Sequence, residues 1–494
     1  MKKLAPYLVL VCVSALLYLL SIRGSAGNPT PYQIEFELNS SGKSFETSQE
    51  RSRWALILSL YHNRSFAIDQ FASMGTPDIG YIKGHYYSFF PPGASIIALP
   101  FFAIGRMFDL SQLAVFSVPA LFALATMLLI YKFCSRFNLH WTVGLFSAFA
   151  YGFATSTWAY SVTFYAHVIS GFLILSGLYL TCFDAKRSFL RVAAVWLFYV
   201  LAVWIDYPNI FIYFPIALGL SLNFISITPK NKNYLVDLRI KYLVAPLIFL
   251  AGIGLYGYYN FINFGSPLAF SNAIPRIQDL KDIEKSIPES ARNAGQSLDT
   301  RNMLNGLYTF FLSHDRSLAV YTPATLLFLF GLGYLLNQDK KREILILSVP
   351  ATCLTLYIMF GDPYGGWSFG SRYIVATMPE LIILAGLGLQ RFAANIYIKL
   401  IYTLVIGYSA AVNLMAALTT NVIPPYVEAR HLGLDSTYII NWRMILGNHL
   451  SSFFYNTLLG KSVPAIMFYA AIGIVLIILF SFLIWYPKYD RHHQ

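Results

Sequence analysis

Apolar residues fall in long runs along this chain, separated by short basic turns and three long polar stretches. A helix needs about 20 mostly apolar residues to cross a bilayer. Runs of that kind predict spans near 4–22, 111–131, 141–160, 165–183, 190–205, 208–227, 242–261, 317–336, 344–361, 373–390, 398–418 and 464–486. The pattern therefore predicts an all-α polytopic membrane protein with about 12 transmembrane helices.

One more stretch, 91–108, opens with Pro91-Pro92-Gly93 and contains Pro100. Parity decides how it sits. If it stays at the interface and the N-terminus is cytoplasmic, the inside segments collect Lys132 and Arg136, Lys186 to Arg191, Lys230 to Lys241, Lys340 to Arg342, Arg391 with Lys399, and Lys488 with Arg491. The outer turns 161–164 and 206–207 then carry no Lys or Arg, as the positive-inside rule requires. So 91–108 reads as a juxtamembrane or re-entrant segment, both termini read as cytoplasmic, and 23–110, 262–316 and 419–463 read as outer loops. Within the second, 278–301 is highly charged and reads as a mobile loop or short surface helix. The first run, Leu4 to Ile22 behind Lys2-Lys3, exceeds the roughly 7–15 residues of a signal-peptide core and predicts an uncleaved span.

Composition agrees. Of 494 residues, 57% are apolar and 12% charged, about half the usual charged share of ~25%, which excludes a string of soluble domains. The net charge of +12 changes nothing once located. Inside segments hold 18 basic and 5 acidic residues, and the rest of the chain 17 and 18. The basic balance is thus a topology signal and gives no support to a nucleic-acid partner. Four cysteines lie in or beside apolar runs, so neither a disulfide framework nor a zinc cluster is expected.

The chemistry-bearing residues collect on the outer face. The stretch FETSQERSRWALILSLYHNRSFAID (45–69) predicts a helix with Ser48 as N-cap, Glu50 and Arg53 in its first turns, and Trp54, Leu58 and Tyr61 on one face. An amphipathic helix there would lie along the outer leaflet. Glu50 is placed to accept a proton from a hydroxyl, or else complements the helix dipole. In GYIKGHYYSFFPPG (80–93), a Gly- and Pro-punctuated turn, Lys83 and His85 suit a phosphate and Tyr87 a prenyl chain or sugar face. The alternative is an interfacial aromatic belt. In GDPYGGWSFGSRY (361–373), Trp367 offers a stacking face and Arg372 a fork donor for phosphate, or a snorkelling cation. Asp206, on another outer turn, orients a cation or is structural. No HxxxH pair or DxD-type motif occurs, so a metal is not indicated and no cofactor is required, though a divalent ion stays compatible with the outer histidines. A transporter wants charges near mid-membrane. An enzyme acting on a lipid-linked substrate wants acid, base and phosphate ligands at the headgroup level, which is the distribution here.

Five stretches occur in an order that resembles the GT-C membrane glycosyltransferases: QERSRWALILSLYHNRSFAID, GHYYSFFPPGASIIALPFFAIG, YNFINFGSPLAF, SLAVYTPATLLF and GGWSFGSRYIVATMP. The likeness is closest to the branch with protein mannosyltransferases and lipid A aminoarabinose transferases. It covers most of 1–390, implying a catalytic transmembrane region there and a C-terminal transmembrane region over 391–494. It implies an inverting transfer from a polyprenyl-phosphate-sugar donor to a hydroxyl on a glycan, lipid or protein, on the periplasmic side of a bacterial inner membrane. It also implies Glu50 as base with Glu46 as second choice, Arg372, Lys83 and Arg53 at the donor phosphate, and His85, Tyr87, Trp367, Asp206 and His167 around the substrates. Relatives carry Asp at the base position and an acid with Lys before the prolines, where this chain has Gln49-Glu50 and Phe89-Phe90. Two other readings compete. A lipid-linked glycan ligase or polymerase with a diphosphate donor would converge Arg51, Arg53, Arg316 and Arg372. A non-enzymatic lipid or glycan transporter would move its substrate without a covalent product.

The topology is directly testable. A reporter fused after Asn138 is expected to stay cytoplasmic and one fused after Gly365 to be exported. The reverse pattern would invert the assignment of the loops.

Overall fold

The computed structural model describes residues 4–36, 45–184, 188–230, 233–238, 242, 244–277, 298–335 and 340–486. Of the charged loop expected at 278–301, the part 278–297 lies outside the described residues. The elements that frame the site are α1 (Ala5–Ser21), α2 (Ser48–His62), β1 (Ile79–Ile82), β2 (His85–Ser88), α3 (Gly93–Met107), α4 (Ser111–Arg136), α5 (His167–Tyr179), α6 (Pro246–Phe264), β3 (Arg276–Ile277), α7 (Met378–Arg391), α8 (Ile396–Leu418) and α9 (Ala465–Trp485).

Among the described residues, five helical segments are long and apolar enough to cross a membrane: α4, α6, Arg372–Arg391, α8 and α9. Each overlaps a span expected from the apolar runs. Shorter apolar helices lie at Ala5–Ser21, Gly93–Met107, His167–Phe183, Phe189–Ile205, Asn209–Leu222 and Pro323–Leu332. The full count of 12 is therefore not reproduced, and the reasons are local. The run 141–160 breaks into Trp141–Phe153 and Thr157–Ser161. There Thr155 donates its hydroxyl to Tyr151 O (2.7 Å) and accepts from Thr157 N (3.2 Å), so side-chain bonds replace helical ones. Pro323, which has no N–H to give, starts a new helix after Tyr321 and splits 317–336. The stretch 91–108 becomes α3, 15 residues with Pro100 inside. At 1.5 Å per residue it is about 22 Å long, short of a hydrocarbon core of about 30 Å.

Two departures from an all-helical reading matter for the site. The turn expected in 80–93 is a β-hairpin. β1 and β2 pair with Ile79 opposite Ser88 and Ile82 opposite His85, and the two-residue tip Lys83-Gly84 has φ of 53° and 86°. Positive φ at both positions is what a tight hairpin of this twist needs. β3, from the second outer loop, adds to the free edge of β1 with Ile79 opposite Ile277. A second small hairpin, Ile225–Lys230 with Asn233–Leu238, stands where a basic loop was expected.

The helix α2 forms where expected, but it is not a surface helix. Its N-cap is Thr47, not Ser48, and every residue from Gln49 to Ser59 is buried. Charges survive inside because each is bonded. Arg51 donates to Met74 O (2.9 Å), Phe45 O (3.2 Å) and Thr76 O (3.1 Å), which ties the start of α2 to the loop behind it. Ser48 donates to Asp78 Oδ2 (2.6 Å), reaching the hairpin.

The two ends of the chain meet at a buried ion pair. Arg23 Nη1 donates to Glu46 Oε1 at 2.5 Å, and both side chains are 1% exposed. Arg23 Nη2 donates to Ala416 O (2.5 Å) and Asn421 Oδ1 (3.1 Å). Glu46 also accepts from Thr420 Oγ1 and Asn421 N, each at 2.6 Å. The pair thus clamps the first outer segment onto the turn after α8. Removing one partner of a buried pair costs about 3–5 kcal/mol because the other charge is stranded. Arg23→Ala and Glu46→Ala are each expected to lower the melting midpoint of the detergent-solubilised protein, and the apolar pair Arg23→Met/Glu46→Leu to recover most of the loss. Single variants that melt with the wild type would remove the clamp from the account.

Candidate active site

The N-terminal turn of α2 carries Gln49, Glu50 and Arg53 into the interior, because the cap at Thr47 starts the helix with these residues facing the bundle. Glu50 has no exposed surface. Its Oε2 accepts from Thr47 N (3.3 Å), and Thr163 Oγ1 donates to its Oε1. Burial raises its pKa to about 7, and the nearby Glu46 charge adds to this. The Thr163 hydroxyl, Arg23 and the Thr47 N–H pull the other way and keep the shift partial. A carboxyl held near neutrality can take or give a proton at ordinary pH.

Arg53 lies one turn on. Its guanidinium sits 4.1 Å from the centre of the Phe90 ring, and Nη1 donates weakly to Gln49 O (3.5 Å). Burial lowers its pKa to about 10, the charge of Asp206 opposes this, and Arg372 adds to it. Arg372 arrives from the other end of the chain. The turn before it runs through Gly365, Gly366 and Gly370 at φ of 73°, 65° and 59°, which side chains other than glycine rarely adopt. A Cβ on Gly365 would stand 2.9 Å from Arg372 Nε, so glycine also leaves room for the guanidinium. With its amide oxygen turned inward, Gln49 accepts from both terminal nitrogens of Arg372, at 3.0 Å from Nη2. The Nε atoms of Arg53 and Arg372 are buried and have no hydrogen-bond partner.

His167 and Asp206 complete the wall. His167 Nδ1 is 3.4 Å from Asp206 Oδ2, and its ring lies 6.4 Å from that of Tyr373. Tyr165 is within electrostatic reach of both Glu50 and Arg372, and its ring is 4.7 Å from Tyr160. The arrangement is two guanidiniums with donors to spare, the Asp206 carboxylate acting on one of them, and on the same helix turn a second carboxyl that exchanges its proton near pH 7. It suits an anion next to a hydroxyl being deprotonated.

The structure brings together Glu50, Arg53, Arg372, His167 and Asp206. It separates the others. Glu46 is spent on Arg23, Thr420 and Asn421. Lys83 is exposed at the hairpin tip, with Nζ close to Gly265 at the C-terminal end of α6, where a helix dipole favours a cation. His85 is exposed and bonded to Asp69 (2.7 Å). Tyr87 packs in a separate cluster with Tyr256, Tyr259 and Phe264. Trp367, 38% exposed, donates to Glu428. Thr163, Tyr165 and Gln49 escaped the sequence reading. Gln49 stood beside Glu50 in the same motif, and the turn 161–164 was read for its lack of cations rather than for its hydroxyls. Among the described residues no group of three His, Cys, Asp or Glu side chains is placed to hold a metal ion.

Of the four arginines that a diphosphate site would converge, two are committed elsewhere. Arg51 is bonded to backbone carbonyls as above. Arg316 donates to Tyr364 O (3.0 Å), Asp315 O (2.6 Å), and Gly366 O and Ile423 O (2.9 Å each). Arg316 shapes the glycine turn and so sets where Arg372 stands.

No family model matches the sequence, and no curated protein does. Among solved structures, the chain is similar to ArnT from Cupriavidus metallidurans in the apo state. That match has a TM-score of 0.47 at 13% identity and covers 98% of this chain and 77% of that one. It is also similar to the same protein bound to undecaprenyl phosphate, with a TM-score of 0.45 at 13% identity over 97% and 76% of the two chains.

The raised pKa of Glu50 has a stability consequence. Between the unperturbed value of 4.5 and about 7 the unfolded chain loses this proton while the folded one keeps it. Stability therefore falls as pH rises through that window, by about 3 kcal/mol in all. Glu50→Gln is expected to melt higher than the wild type at pH 8 and level with it at pH 4.5. An equal gap at both pH values would show that Glu50 titrates normally.

Proposed function

We propose that this chain is an integral-membrane inverting glycosyltransferase that moves a sugar from a polyprenyl monophosphate to an acceptor hydroxyl. The observation that carries the reading is the meeting of Arg53 and Arg372, each with an idle guanidinium donor, at the helix turn that bears Glu50, a carboxyl with a pKa near 7. Three features support it. The pair draws on the first outer loop and the late glycine turn, where the ordered motifs put base and phosphate ligand. Arg372 opens the apolar segment Arg372–Arg391, which in this reading puts the site at the level of a lipid headgroup. The commitment of Arg51 and Arg316 to carbonyls leaves two arginines, which favours a monophosphate over a diphosphate donor.

In this reading Arg53 and Arg372 bind the donor phosphate and neutralise it as it leaves. Glu50, in its ionised form, takes the proton of the acceptor hydroxyl as that oxygen attacks the anomeric carbon from the opposite face. One C–O bond forms, the bond from the anomeric carbon to phosphate oxygen breaks, and configuration inverts. Because Glu50 is covered, the acceptor must displace Thr163 or the Thr47 N–H from the carboxylate to reach it. Asp206 holds the pair of cations in place through Arg53 and orients His167. Glu46, fully bonded to Arg23 and the 420–421 backbone turn, is the weaker candidate for base. The membrane is the inner membrane of a bacterium, with both termini cytoplasmic and the site facing outward.

General-base assistance is typically worth about 10²–10⁴ in rate. Mass spectrometry of envelope glycans and lipids is the test, comparing cells with the wild-type gene, without it, and with Glu50→Gln. One envelope species is expected to lose a single sugar in both altered strains, while the Glu50→Gln protein accumulates normally. Full modification in the Glu50→Gln strain would remove Glu50 as base.

A further inference from the structure

Gln49 has no part in the transfer step, yet it stands where the donor has to bind. Its amide oxygen takes hydrogen bonds from both terminal nitrogens of Arg372, and its backbone oxygen takes one from Arg53. Gln49 is 8% exposed, so its amide meets Arg372 in a buried place. A guanidinium offers a phosphate two parallel N–H donors, and the amide oxygen takes up both of those donors. Gln49 differs in one respect: it is neutral, so it satisfies donors without offsetting charge. The two arginines stay mutually unfavourable, with Asp206 and, less strongly, Asp78 as carboxylates acting on Arg53. A phosphate in place of the amide would bring both the hydrogen bonds and the missing negative charge, and charge-assisted bonds are roughly twice as strong as neutral ones.

We infer that Gln49 is a built-in competitor for the donor phosphate. Its amide occupies the anion position in the empty site and swings out when a polyprenyl phosphate arrives. It thereby sets donor affinity and speeds release of the polyprenyl phosphate product. This inference rests on the reading of Arg53 and Arg372 as the phosphate site. It makes residue 49 a determinant of affinity, since a neutral side chain there yields to an anion and an acidic one would not.

The opposite role, a strut that holds Arg372 in position, predicts the opposite sign, which makes the inference testable. Binding of undecaprenyl monophosphate to the full-length protein in detergent is measured for the wild type, Gln49→Met, Gln49→Ala, Gln49→Glu and Arg372→Ala. Methionine keeps the bulk and loses the acceptor. Losing the competitor's hydrogen bonds from the charged Arg372 guanidinium should tighten binding by about 10-fold or more in the Met and Ala variants. Glu at 49 pairs permanently with Arg372 and should weaken binding by at least about 10-fold. Binding that is unchanged or weaker in both Met and Ala variants overturns the competitor role. If Arg372→Ala binds as well as the wild type, the phosphate-site reading itself falls, a result separable from the first. In turnover, the Met variant should show a lower KM for the donor together with a lower kcat, because product leaves more slowly. A strut would raise KM instead.

Discussion

Two like charges brought together in a mostly buried place are the constraint around which this structure is organised. Arg53 and Arg372 come from helices more than 300 positions apart in sequence, and each would repel the other if left unsupported. Phe90 faces one guanidinium and the Tyr373 ring lies 5.1 Å from the other, Asp206 acts on the first, and Gln49 takes the spare donors of the second. Asp78 also acts on Arg53. In the proposed reading the pair is a preformed electrostatic demand for an anion, kept among buried side chains where charge is worth more than in water.

Holding that demand in place is the task of residues that touch no substrate in this account. Arg316 spends its donors on the carbonyls of Tyr364, Gly366 and Ile423 and so fixes the turn that presents Arg372. Arg51 does the same for the loop that leads into α2, and Arg23 with Glu46 closes the outer segment onto the end of α8. Arg51 and Arg316 are bonded to several backbone carbonyls and hold loops in place, whereas the Nε atoms of Arg53 and Arg372 are left over for the proposed anion. A carboxyl with a pKa near 7 on the same helix turn as Arg53 completes the proposed set, because a base for a hydroxyl has to be ionised yet ready to take a proton.

Much of this was visible in the sequence. Apolar runs located the long helices, since burial in lipid leaves little freedom of composition, and the glycine turn with Arg372 announced itself by residue type. The helix at 48–62 was found, but its environment was not. Mixed charge at Glu50, Arg51 and Arg53 looks like a solvated face, and only tertiary partners such as Met74 O, Thr163 and Asp206 make it an interior. The hairpin at 79–88 was hidden because glycines and aromatics mark turns and strands alike. Lys83 and His85 were plausible phosphate ligands by type, yet strand register carries them to the exposed tip of that hairpin. Gln49, Thr163 and Tyr165 had no signal, since neutral hydrogen-bonding residues carry no pattern until the groups they meet are known.

The central claim is that the anion held by Arg53 and Arg372 is the phosphate of a lipid-linked sugar carrier. A high-resolution map of the protein with undecaprenyl monophosphate tests this most directly. The account predicts phosphate density about 3 Å from nitrogens of both guanidiniums, with the Gln49 side chain turned away and the prenyl chain running toward the apolar segments. Phosphate density beside Lys83 and Gly265, with Gln49 still bonded to Arg372, would contradict it.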